Sequence, residues 1–118
     1  MEKVSKLEMD IMIFVGNPGM IQIHTGKIQK LEPMGPWFNV LDPEFNLHLR
    51  TDLIESIWIV DKPTKDGLVT SIEVFDHEEN LILQMFGKRK PGIPQSDLWF
   101  QLSREYVNKT EELNPSFV

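Results

Sequence analysis

Apolar runs and polar breaks follow one another most plainly in the stretch from Ile54 to Arg89. Three apolar runs rich in β-branched and aromatic side chains are broken there by Pro63-Thr64-Lys65-Asp66-Gly67 and by Asp76-His77-Glu78-Glu79-Asn80. The pattern predicts three antiparallel strands with tight connections. Pro63 presets one backbone angle, Gly67 frees another, and the second break is polar enough to face water. Upstream, residues 11–15 and 20–24 flank Gly16-Asn17-Pro18-Gly19, which predicts a hairpin. Thr25-Gly26 gives a second reversal, and residues 27–31 a third strand closed by the stretch from Pro33 to Pro36. Residues 37–41 form another short apolar run, turned by Asp42-Pro43-Glu44 into residues 45–50. In that last run Phe45, Leu47 and Leu49 share one face while Asn46, His48 and Arg50 share the other.

Beyond the final strand, Pro91 to Pro94 breaks the backbone and Ser96 is placed to cap a helix over 97–108. Leu98, Trp99, Leu102 and Tyr106 form its expected apolar stripe. Residues 1–10 are charged, with Val4, Leu7 and Ile11 at helical spacing, and are expected to be a frayed segment. Residues 109–118 have no pattern and are expected to be a loose tail. One domain over 11–108 remains, of α+β class: an antiparallel meander of about seven or eight strands with the C-terminal helix packed on one face. The other face is left to bind something.

Composition narrows what that is. A chain of 118 residues supports one core. It has no cysteine, so neither a disulfide framework nor a Cys-based zinc site is available. The formal charge of −6 argues against nucleic acid as a partner. Every apolar run is shorter than the ~20 residues that span a bilayer, and the N-terminal stretch is too charged for a signal peptide. The expectation is a soluble, cytoplasmic protein with no membrane insertion.

Known catalytic patterns are missing. Gly16-Asn17-Pro18-Gly19 has no following helix or Lys-Ser/Thr, so it is no phosphate loop. His24, His48 and His77 lack companions at metal-ligand spacing. Glu73, Asp76, Glu78 and Glu79 read as a solvated strand end and turn. What remains is a face. Two-residue periodicity puts Gln84 with Phe86, puts Trp58 and Val60 with Lys62, and sets Phe14 apart from Ile11, Ile13 and Val15. Lys88, Arg89 and Lys90 follow the last strand. Singly, such aromatics are more often core and such cations more often solvated. Jointly they suit a flat apolar ligand carrying carboxylates, with rings receiving the plane and cations holding the acids.

IMIFVGNPGMIQIHTGKI, GPWFNVLDPEFNLHL, KPTKDGLVTSIEVFD and LILQMFGKRKPG, in that order, resemble the C-terminal half of the HemS, HmuS, ShuS and ChuS family of cytoplasmic haem-utilisation proteins, also labelled hemin-degrading factors. The similarity runs in register from about Ile11 to Tyr106. It implies haem b (hemin) as ligand or substrate in a bacterium acquiring iron, bound in a cleft between two similar halves. Carried over by position, the resemblance puts Phe14, His48, Lys62, Gln84, Phe86 and Arg89 on the cleft wall. Phe14 and Phe86 would pack on the porphyrin, Lys62 and Arg89 would pair with propionates, and His48 and Gln84 would make rim contacts. Phe86 stands where relatives often have tyrosine, so a phenol contact is lost. The family's proximal histidine precedes the Ile11 strand and its distal arginine lies in the N-terminal half. Neither falls within this sequence, which leaves His48 or His24 as candidate iron ligands. The resemblance thus implies a haem-binding and haem-transfer module, working as a homodimer or with a complementary N-terminal half. Haem degradation would require a proximal ligand from elsewhere, and a half that binds only a protein partner is the remaining alternative.

Overall fold

The computed structural model describes residues 1–107. Along the chain come α1 (Glu2–Lys6), β1 (Ile11–Asn17), β2 (Met20–Gly26), β3 (Leu31–Met34), β4 (Trp37–Asp42), β5 (Phe45–Arg50), a single 3-10 turn (Thr51–Leu53), β6 (Ile54–Thr64), β7 (Gly67–Asp76), β8 (Leu81–Gly87) and α2 (Asp97–Val107). The class and the strand number agree with the sequence pattern. The strands do not, however, run as one meander: they divide into a five-stranded sheet, β2-β1-β8-β7-β6, and a three-stranded sheet, β3-β4-β5. The division arises because β1 pairs antiparallel with β8, Ile11 opposite Gly87 and Ile13 opposite Met85, which leaves β3 to β5 to pair among themselves.

One face of the larger sheet is the core face. Register aligns Ile13, Met85, Ile72 and Ile59 across four strands. Phe38, Val40 and Leu49 from the smaller sheet pack into the same cluster. Helix α2 completes the cover with Trp99 and Leu102, both buried. Trp99 is 0% exposed, and its indole N–H donates to the Thr70 carbonyl at 2.9 Å. Ser96 caps α2 as expected, its Oγ accepting from the Trp99 N–H at 3.4 Å. Leu98 does not belong to the buried stripe: it is exposed, although Leu102 one turn on is buried.

Two other expectations give way. Residues 1–10 are not a frayed end, since Val4 and Met9 are buried in the core and Lys3 of α1 pairs with Glu105 of α2. The third strand is Leu31–Met34 rather than 27–31. The Asp42 carboxylate accepts the Gln29 N–H at 3.0 Å and the Lys30 N–H at 2.6 Å, so a side chain holds that segment in place of a ladder. Pro33 is tolerated within β3 because β3 is an edge strand. Asn108, the expected last helical residue, and the expected tail over 109–118 lie outside the described residues.

Candidate functional site

The face of the five-stranded sheet opposite the core carries the candidate site. Register sets one row across all five strands: Trp58 on β6, Glu73 on β7, Gln84 on β8, Phe14 on β1 and Ile23 on β2. The next row runs Val60, Ser71, Phe86, Met12 and Thr25. Phe14 and Phe86 therefore sit diagonally on neighbouring strands, their ring centroids 5.2 Å apart and their planes tilted by 48°. They fill the middle of the face. Trp58 and Ile23 end the first row at 59% and 52% exposure, values that mark an apolar surface left open to a ligand or partner.

Glu73, read from the sequence as part of a solvated strand end, is instead half-buried in the middle of this row. It accepts hydrogen bonds from Ser71 Oγ and Gln84 Nε2, each at 3.0 Å. Cross-strand pairing with Gln84 is the signal that places it, and pairing is not visible in one strand's pattern.

Lys62 lies two rows beyond the Trp58 row, on the same face of β6, opposite Val69. It is exposed and makes no ion pair among the described residues. Arg89, just past the end of β8, reaches the β6–β7 turn: its Nη1 stands 3.6 Å from Asp66 Oδ2 and 3.3 Å from the Ile93 carbonyl oxygen. Lys62 and Arg89 thus both border the same end of the sheet, one free and one held by a carboxylate. Lys88 and Lys90 flank Arg89 and are exposed.

The two imidazoles proposed for iron separate. His24 pairs with Ile13 and so points to the core side of the sheet, away from Phe14, where its ring stacks on Phe45 at 3.8 Å. His48 belongs to the three-stranded sheet and opposes Asn39 on its outward face. Asn39 donates its Nδ2–H to the Glu32 carbonyl at 3.0 Å, so its Oδ1 faces His48 Nδ1 at 2.8 Å. A neutral ring therefore carries its proton on Nδ1 and leaves Nε2 as the acceptor. Phe14, Gln84, Phe86 and Lys62 come together on one face, Arg89 adjoins its border, and His48 stands apart from them. Among the described residues no group of three or more His, Cys, Asp or Glu is placed to hold a metal ion. Among the described residues no helix is long and apolar enough to cross a membrane. Such a face is suited to hold a planar molecule by ring contact at its middle and to fix acid groups at one border.

Residues 1–106 match the Haemin-degrading HemS.ChuX domain. The chain belongs to this family. Among relatives it is similar to the hemin transport protein HmuS of Yersinia pestis, at 44% identity over 85% of this chain and 29% of HmuS. It is 48% identical to the hemin transport protein HemS of Yersinia enterocolitica over 76% of this chain and 26% of HemS. The heme-binding protein PhuS of Pseudomonas aeruginosa, in its apo crystal structure, superposes with a TM-score of 0.86 at 52% identity, over 88% of this chain and 30% of PhuS. The chain therefore spans less than a third of the length of the HemS-type proteins that it matches. The heme-binding protein ChuX shares the fold alone, with a TM-score of 0.77 at 13% identity.

Proposed function

We propose that this HemS-type domain binds haem on the outward face of its five-stranded sheet and passes it on within the cytoplasm as part of iron acquisition. The observation that carries this reading is the Phe14–Phe86 pair, set in the middle of an open apolar face whose one border bears the unpaired Lys62. Phe14 and Phe86 pack on the macrocycle, and Gln84 between them offers an amide to its edge. Lys62 and Arg89 pair with the propionates through charge-assisted hydrogen bonds. The names of HmuS, HemS and PhuS support haem as the molecule concerned.

The face presents rings and cations that suit a tetrapyrrole dicarboxylate, and it presents no imidazole. His24 is turned to the other side and His48, with Nε2 free, stands on the other sheet, so neither candidate imidazole lies on this face. A flat ligand lying on an open sheet has one side uncovered. A second copy of this chain or a complementary N-terminal half supplies the other wall, and haem degradation belongs to such an assembly rather than to this half.

Titration with hemin, followed at the Soret band, tests the proposal. A shift saturating at one haem per chain or per dimer is expected, and it weakens in Phe14→Ala and Phe86→Ala. An unchanged spectrum at excess protein would overturn it. Solution mass with and without hemin distinguishes one wall from two.

A further inference from the structure

Resting on that reading, we infer that Glu73 is a positioning residue that sets the in-plane orientation of the bound macrocycle, by keeping anionic groups off the Trp58–Ile23 row. Glu73 stands in the middle of the open face, opposite Trp58 on one side and Gln84 on the other. Its Oε2 accepts from both Ser71 Oγ and Gln84 Nε2, so the carboxylate is laid along the face and held there. Lys62 stands four residues along β6 from Trp58, the residue opposite Glu73, which separates cation from acid by roughly 13 Å along the strands. That is about the width of a tetrapyrrole. The face is thus polar along its length, negative at the aromatic row and positive at the turn end.

A ligand with acid groups on one edge only has two ways to lie on such a face. With its acids toward this border they meet two cations, Lys62 and an Arg89 already shared with Asp66. Turned end for end, the acids fall near Glu73, where the apolar surroundings leave like charges poorly screened. Rings alone do not choose between these two placements, since Phe14 and Phe86 grip either way. Glu73 also orients the Gln84 amide: one Nε2–H is spent on the carboxylate, which leaves Oε1 and the second N–H for the ligand. The class of ligand follows: a planar apolar ring whose anionic groups are confined to one edge.

The test is the proton spectrum of bound hemin, whose shifted methyl resonances report each orientation as a separate set. Wild-type protein is expected to give one dominant set. Glu73→Gln, which keeps size and a hydrogen-bonding oxygen, is expected to show a second set that wild-type protein lacks, with the set directed toward Lys62 and Arg89 still the larger. Hemin dimethyl ester, with no anionic groups, is expected to give two sets on wild-type protein, which needs no variant to fold. One set in Glu73→Gln or one set for the ester overturns the inference while leaving haem binding intact. Failure of wild-type protein to shift the Soret band removes the haem reading itself, and the inference falls with it.

Discussion

Gly87 lies directly against Trp99: a Cβ built at residue 87 would stand 2.7 Å from Cγ and 2.9 Å from Cβ of the tryptophan. The atoms met are the root of the side chain, not its flexible end, so they move only if α2 moves. The indole is fixed further by its hydrogen bond to the Thr70 carbonyl. Gly87→Ala is therefore expected to lower stability by about 1–3 kcal/mol through overpacking. Trp99→Phe, which leaves the Thr70 carbonyl unpaired and a small void, is expected to cost a similar ~1–3 kcal/mol. Urea unfolding of each variant checks both, and a Gly87→Ala midpoint equal to wild type would mean that the helix is not seated as described.

Phe14 and Phe86 face away from that core, so their removal separates binding from folding. Each alanine variant is expected to unfold close to wild type and to bind hemin more weakly. Because the rings touch at 5.2 Å, the double variant is expected to lose less than the two single losses added together. The coupling should be about 0.5–1.5 kcal/mol, read from a double-mutant cycle of hemin affinities. Strict additivity would show that the pair does not act as one surface.

Much of this face was legible in the sequence because strand periodicity is local. Parity alone set Gln84 with Phe86, and Val60 with Lys62, and separated Phe14 from Ile11 and Ile13. What parity cannot give is which strands are neighbours. The β1–β8 pairing joins residues that are far apart in the chain, and it decides both that Phe14 meets Phe86 and that there are two sheets rather than one. The same non-local choice put His24 on the core side and His48 on a different sheet. Residues 27–30 were misread for another reason: the Asp42 carboxylate satisfies two backbone N–H groups that a strand would have paired. Val4 and Met9 looked like part of a loose end because their burial depends on α2 and the sheet, not on their neighbours in sequence.

Asp61 predicts an acid limb of stability. Its carboxyl is held below the usual carboxylate range, first by the hydrogen bond from Arg104 and also by one from Thr70, against the opposing effect of burial. A group with a depressed folded pKa contributes stability that is present above its unfolded value near 3.8 and is lost as pH falls through the folded one. The Arg104–Asp61 pair is about a third exposed, so the contribution is discounted to below about 1 kcal/mol. Asp61→Asn is expected to be less stable than wild type at neutral pH, with the difference shrinking as pH drops below 4. Unfolding free energies measured from pH 6 to pH 3 check this, and a constant gap across that window would rule out the linkage.

Arg89 enters the proposed site already partnered. Its guanidinium is 3.6 Å from Asp66 Oδ2, and both side chains are largely covered, at 24% and 20% exposure. The same Asp66 oxygen accepts the Gly92 N–H at 3.1 Å, so the carboxylate braces the segment after β8 as well as the arginine. A propionate reaching this border competes with Asp66 for Arg89, whereas Lys62 has no ion pair to break among the described residues. Asp66→Asn keeps an oxygen for the Gly92 N–H and removes the competing charge. It is expected to tighten hemin binding by up to about fivefold, on the order of 1 kcal/mol, the scale of a partly exposed charge pair. The gain should fade in high salt and vanish in the Asp66→Asn, Arg89→Ala double variant. By the same reasoning Lys62→Ala should weaken hemin binding more than Arg89→Ala does in the wild-type background. Isothermal titration at two ionic strengths decides it: looser binding in Asp66→Asn would show that the carboxylate's bracing of the loop outweighs its hold on the cation.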